Sequence, residues 1–268
     1  MMTAVNASRP PVPRCVLSVR WAVPVVMLLI VVPGPVSGQT NLQLWGNLTL
    51  DWVKSERLVY ELDVEPKVLL SAPEGDPGWR NIDLTPNVEY SPAGWLDLVG
   101  ESVIGWTKQT DDVDTLEVTP RVGVRFHVFS RDRPIRVIGR ERHPTRRMVV
   151  RDLVRVEYRN SFYGGAKDGT ESSWRFRNRL EFLVPLNKPR VSDDGARYVL
   201  ADWEWFVPLE DHQERFANKQ RIRTGLGYRR SFRWRFEALY IWTRSRNTIE
   251  DDFTTSDHII DIRVKRLF

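Results

Sequence analysis

His258-Ile-Ile-Asp-Ile-Arg-Val-Lys-Arg-Leu-Phe268 alternates apolar and charged side chains and stops on an aromatic residue. Successive side chains of a strand point to opposite faces, so Ile260, Ile262, Val264 and Phe268 share one face while Asp261, Arg263 and Lys265 share the other. One face suits lipid and the other water, the pattern with which bacterial outer-membrane β-barrels close and are recognised for assembly. Phe268 is therefore the expected barrel-assembly signal. Arg266 interrupts the apolar row, but it stands near the strand end, from where a long guanidinium side chain reaches the headgroup layer. A soluble edge strand ending in Phe shows the same local pattern, so the remainder of the chain has to decide.

Upstream, Arg9, Arg14 and Arg20 precede the apolar run Trp21 to Val32, and Val36-Ser37-Gly38 offers small residues for cleavage. Residues 1–38 read as a signal peptide and 39–268 as the exported barrel. The only cysteine, Cys15, leaves with that peptide. The peptide also carries three Arg and no acid, so its removal lowers the formal charge from +5 to +2. No later segment concentrates positive charge in a tail or a helix face, which argues against a nucleic-acid partner. No later run reaches about 18 consecutive apolar residues either, so only a closed barrel is left for a chain that crosses a membrane.

The body reads at period two in segments near the roughly 9–11 residues that a tilted strand needs to span a bilayer. Leu42, Leu44, Leu48, Leu50 and Trp52 stand against Gln43, Asn47, Thr49 and Asp51; Val118, Val122, Val124 and Phe126 stand against Glu117, Arg121, Arg125 and His127. The same rule runs through Trp174 to Phe182, Val199 to Val207 and Trp234 to Trp242. A soluble sandwich alternates in the same way, with its apolar face in a shared core. The placement of Trp52, Trp79, Trp95, Trp106, Trp174, Trp234 and Trp242 near strand ends favours interfacial girdles instead.

Eleven strands are clear. An even number is usual for bacterial single-chain barrels, and Ile135 to Arg140 is the best place for one more. The expected fold is all-β, a transmembrane antiparallel up-and-down barrel of twelve strands, with ten as the alternative. The polar stretches Tyr163 to Ser173 and Arg244 to Asp257 are expected to be extracellular loops.

Arg155-Val-Glu-Tyr-Arg159, Trp174-Arg-Phe-Arg-Asn-Arg-Leu-Glu181, Trp203-Glu-Trp-Phe-Val-Pro-Leu209, Lys219 to Tyr228 and the final strand after His258 together resemble the DUF2490 family of outer-membrane barrels. The resemblance covers 148–268 well and 39–147 only through alternation. It implies fold and an outer-membrane location, and no biochemical activity.

The chemistry then lies on the inward rows. Glu61, Asp63, Glu65, Asp83, Glu89, Asp97 and Glu101 make the early strands acidic. Arg155, Arg159, Arg175, Arg177, Arg179, Arg221, Arg223, Arg233 and Arg235 make the later ones basic, interrupted by Glu157, Glu181, Glu204 and Glu237. Such a lumen either passes small polar or anionic solutes or is plugged by pairing of its own charges. Arg175, Arg177 and Arg179 are the candidates for unpaired cations that bind a carboxylate or phosphate in transit.

A lipid-modifying outer-membrane enzyme is the weaker reading. His127 lies on an inward row, Ser130 does not share its face cleanly, and the sequence identifies no orienting acid. His143, His212 and His258 read as surface residues. Asp111, Asp112 and Asp114, and Glu250, Asp251 and Asp252, lack the spacing of a calcium loop. No catalytic residue, metal or cofactor is expected. The expected partners are outer-membrane lipid, the barrel-assembly machinery and a small anionic solute.

Overall fold

The computed structural model describes residues 39–71, 78–110, 113–128, 148–165, 169–210, 219–245 and 255–268. Eleven strands stand among them: β1 (Gln39–Val53), β2 (Leu58–Ser71), β3 (Trp79–Ala93), β4 (Leu96–Gln109), β5 (Val113–His127), β6 (Val149–Gly165), β7 (Gly169–Pro185), β8 (Ala196–Pro208), β9 (Lys219–Ser231), β10 (Trp234–Ser245) and β11 (Thr255–Leu267). Each pairs antiparallel with its neighbours in sequence, and β1 closes the barrel by running parallel to β11. Closure leaves no open edge, so each strand of the wall is laddered on both sides.

The count of twelve is not met. Ile135 to Arg140 lies outside the described residues, but β5 pairs directly with β6 through Val122↔Val156 and Val124↔Val154, which leaves no place in the wall between them. The even-number expectation rests on an antiparallel last seam, and the parallel seam from Gln39↔Thr255 to Asp51↔Leu267 satisfies both edges with eleven strands. It also puts the start of β1 at one rim and Phe268 at the other. The Phe268 amide donates to the Asp51 carbonyl at 2.9 Å.

The hairpin of β6 and β7 likewise outruns expectation. Its ladder continues through Ser161↔Glu171 to Tyr163↔Gly169, so most of the polar stretch predicted as a loop is strand. Thr, Ser and Asn side chains support pairing by hydrogen bonding, as Ser172 Oγ does to Asn160 Oδ1 at 3.0 Å, without leaving an apolar alternation to read. Of the predicted loop after Arg244, residues 246–254 lie outside the described residues, as does the segment 1–38.

Period-two patterning gives the wall two opposite faces. Leu42, Leu44, Leu48, Ile82, Leu84, Ile104, Ile222, Ile260 and Ile262 point outward and are exposed, with Val122 at 68% and Leu226 at 63%. Asp51, Glu89, Asp97, Glu157, Glu181, Asp202, Glu204 and Asp261 point inward and are buried. This inverts the arrangement of a water-soluble domain. Aromatic side chains pack along the outside near the ends: Trp52 stacks on Phe268 at 5.6 Å and Trp95 on Phe126 at 6.2 Å, and Tyr158 tilts against Trp174 at 4.6 Å. Arg266, the interruption in the apolar row, lies over the rings of Trp234 at 5.0 Å and Phe268 at 4.5 Å.

Inside the barrel, Val149, Leu183, Tyr198, Leu200, Leu239, Ile241 and Ile259 form an apolar cluster against the wall of β6 to β11. The β7–β8 connection adds Val191, whose carbonyl accepts from Arg229 Nε at 3.0 Å. Tyr198 lies flat over Gly227, where a Cβ would come within 2.1 Å of the ring, and its hydroxyl donates to Glu237 Oε1 at 2.6 Å. Only glycine lets the ring reach that depth.

Candidate functional site: the charged lumen

Strand register builds the lumen row by row. Glu101 on β4 lies opposite Arg121 on β5, Arg121 opposite Glu157 on β6, and Glu157 opposite Arg175 on β7. A second row sets Arg179 opposite Glu204 and Glu204 opposite Arg221; a third sets Glu181 opposite Asp202 and Asp202 opposite Arg223. Acid and base thus alternate along the first two rows, where directly opposed unlike charges stabilise the sheet, whereas the third sets two acids side by side, Glu181 held by Arg151 and Asp202 by Arg223.

Two carboxylates are the hubs. Glu157, fully buried, takes Arg175 Nη2 and Arg177 Nη1 at 2.5 Å each, with Arg121 Nε at 3.2 Å and Arg155 Nε at 3.7 Å. Glu204, also fully buried, takes Arg177 Nη2 at 2.6 Å, Arg155 Nη2 and Arg223 Nη2 at 3.2 Å each, and Arg221 Nη1 at 3.5 Å. Arg177 therefore joins the two hubs, and Arg155 extends the network to Glu101 at 2.5 Å. A buried carboxylate held by several guanidinium groups recovers in charge-assisted hydrogen bonds what it loses in hydration.

Smaller pairs complete the lining. Arg223 Nε donates to Asp202 at 2.7 Å, Arg263 Nε to Asp261 at 2.6 Å, Arg159 Nη2 to Glu117 at 2.6 Å, and Lys265 meets Asp51 at 3.1 Å and Glu61 at 2.5 Å. Arg125 pairs with Glu89, Arg151 with Glu181, and Lys67 with both Asp83 and Glu65. The acidic early strands and basic later strands are thus bridged by contacts between adjacent and next-but-one strands.

All twelve predicted lumen charges, Arg155, Glu157, Arg159, Arg175, Arg177, Arg179, Glu181, Glu204, Arg221, Arg223, Arg235 and Glu237, lie on the inward face. The Arg175, Arg177 and Arg179 row is not unpaired, however. Arg175 and Arg177 grip Glu157, and Arg179 reaches Glu181 at 3.5 Å. Along-strand pairs range from Arg263 with Asp261, at 2.6 Å, to Arg235 with Glu237, at 3.4 Å.

The lumen also holds aromatics that the sequence reading left out. Phe206, 2% exposed, lies beneath the guanidinium groups of Arg177 at 4.4 Å, Arg175 at 4.8 Å and Arg221 at 5.3 Å, with Lys219 Nζ at 5.9 Å. Trp45 on β1 lies beneath Lys67 at 4.6 Å and Arg221 at 5.4 Å. Arg221 thus links rings on β8 and β1. A cavity of about 780 Å³ runs between the rims, lined by residues of all eleven strands, from Trp79 and Gln109 at one end to Phe232 and Leu267 at the other.

His127 has a partner that the sequence did not identify. Its Nε2 lies 2.5 Å from Asp97 Oδ2, while Ser91 Oγ donates to Asp97 Oδ1 at 2.7 Å. The acid stands between the hydroxyl and the imidazole, so the histidine is not placed to take a proton from Ser91. Ser130, His143, His212, Asp111, Asp112 and the Glu250 to Asp252 run lie outside the described residues; Asp114 meets Lys108 at 3.8 Å and His258 meets the Tyr240 hydroxyl on the outer wall at 2.5 Å. Among the described residues no group of three or more His, Cys, Asp or Glu could hold a metal ion.

With this barrel on hand, one comparison decides the family. The model described as a protein of unknown function, DUF2490, matches residues 42–254. The chain belongs to the DUF2490 family. The match extends through the early strands, where only alternation was legible. No curated protein and no solved structure matches the chain.

Proposed function

We propose that this DUF2490 barrel resides in a bacterial outer membrane and acts as a narrow passive channel for small polar or anionic solutes. The observation that carries the membrane reading is the outward face, mostly apolar on every strand while most charged side chains turn inward; the outward Asp152 is met by Asn178 Nδ2 at 2.6 Å. Water does not stabilise that arrangement, and a hydrocarbon layer does. The shortest strand, of twelve residues, rises about 30 Å at about 3.3 Å per residue and a tilt near 40°, which matches a bilayer core. The stack of Phe268 on Trp52, with Arg266 laid over Phe268, suits a strand end recognised by the assembly machinery and seated at the headgroup layer.

The cavity lined from rim to rim supports passage. Its rigid charged walls, held by Glu157 and Glu204, favour solutes small enough to move between fixed guanidinium groups. Proteoliposomes loaded with a chloride-sensitive dye test this directly. Influx faster than in empty liposomes supports the channel, and influx equal to theirs despite verified folding overturns it.

The second reading is a structural barrel plugged from within. It is favoured by the inward β7–β8 connection, where Val191 and Tyr198 fill the β7–β9 side of the Phe268 rim. No catalytic step is assigned.

A further inference from the structure

We propose that the lumen contains a binding site for a small dianionic oxyanion, formed by Lys219 and Arg221 beside Phe206. The inference deepens the channel reading by naming where and what the lumen binds.

The register carries it. Two rows of the wall place an acid between two bases, Arg121–Glu157–Arg175 and Arg179–Glu204–Arg221. The row between them places Arg177 opposite Phe206 and Phe206 opposite Lys219. An aromatic ring stands where its neighbours hold a carboxylate. A ring face attracts cations but removes no charge, so the row keeps its positive excess.

The adjacent acids do not make up the difference. Glu157 is shared among Arg175, Arg177, Arg121 and Arg155, and Glu204 among Arg177, Arg155, Arg223 and Arg221. Arg221 is the outermost of the Glu204 set at 3.5 Å, and its Nε finds no acceptor among the described residues. Lys219 has no ion pair among the described residues, only the Phe206 ring at 5.9 Å. Of the other acids lining that end of the cavity, Glu117 holds Arg159, and Glu65 and Asp83 hold Lys67; Asp257, which accepts from Asn41 Nδ2 at 2.9 Å, acts on Lys219 through its charge without an ion-pair contact and offsets it only in part.

Two cations without full compensation thus face the cavity side by side, with Arg175 adjoining across the same ring. A doubly charged tetrahedral oxyanion meets that need: one oxygen takes the Arg221 Nε–H and Nη–H fork, and another takes the Lys219 ammonium. A monocarboxylate brings half the charge and leaves one of the two cations uncompensated.

The test is calorimetric titration of the refolded protein in detergent micelles, at low ionic strength and pH 7, with inorganic phosphate and separately with acetate. We expect saturable phosphate binding, about tenfold or more tighter than acetate, weakened about tenfold by Lys219→Met and by Arg221→Gln. Arg190→Gln, on the exposed connection at the other rim, should leave binding within about twofold. Lys219→Met breaks no ion pair, so its fold is expected intact, and a heat-dependent gel shift checks it. Absence of saturable phosphate binding, equal binding of acetate, or unchanged binding by Lys219→Met overturns the site. Binding without membrane conductance keeps the site and removes the channel; conductance without binding does the reverse.

Discussion

Arg177 donates to Glu204 through both Nε, at 3.2 Å, and Nη2, at 2.6 Å, and its remaining amine reaches Glu157 at 2.5 Å. One guanidinium thus ties two fully buried carboxylates on β6 and β8 across β7. Its planar fork makes this possible, and an ammonium at the same place could not hold both geometries.

Arg177→Gln should therefore lower stability by about 3–5 kcal/mol, the range for removing one partner of a buried ion pair. Arg177→Lys should recover only part of it. The urea midpoint of the heat-dependent gel shift measures both, and the double variant Arg177→Gln/Glu204→Gln should lose less than the two single losses combined.

Gly227→Ala sets a Cβ against the Tyr198 ring, which is fully buried and anchored to Glu237. Overpacking of this kind costs about 1–3 kcal/mol. Tyr198→Phe should cost only about 1 kcal/mol, that of one hydrogen bond. In a Tyr198→Ala background Gly227→Ala should be nearly silent, and a double-mutant cycle in urea reads the coupling.

The outward face gives a test of membrane residence. Val122 and Leu226, mid-strand on β5 and β9, are the most exposed large apolar side chains of the wall. Val122→Arg and Leu226→Arg should each destabilise the barrel in lipid vesicles by about 2–4 kcal/mol. In a water-exposed wall the same changes would be neutral, so unchanged folding titrations would oppose the membrane assignment.

Parallel closure predicts that the two ends of the wall face opposite compartments. A protease site placed just before Gln39 and another in the β7–β8 connection near Lys188 lie at opposite rims. In vesicles with uniform barrel orientation, external protease should cut one and spare the other. Cutting of both, or of neither, would contradict the eleven-strand seam.

Much of this was legible in the chain because alternation at period two is a strong signal where one face of the wall is apolar and the other charged. The clear segments became β1 to β11, and the charges read as inward, from Arg155 to Glu237, do point inward. The strand count was not legible, since the direction of the closing seam is a property of two distant strands. Nor were Trp45, Tyr198 and Phe206, apolar residues on the inward row, where parity alone places them and composition argues otherwise. The pairing that occupies Arg175 and Arg177 depends on register between strands, which no single strand displays. Lys219 looked like the start of a strand and nothing more.

Single-channel recording of refolded 39–268 in a planar bilayer tests the central claim most directly. Steady unitary conductance, with a reversal potential under a salt gradient that favours anions and shifts toward cations in Lys219→Met/Arg221→Gln, is the predicted result. A silent bilayer, with folding verified in the same preparation, would contradict the channel and leave a plugged barrel in its place.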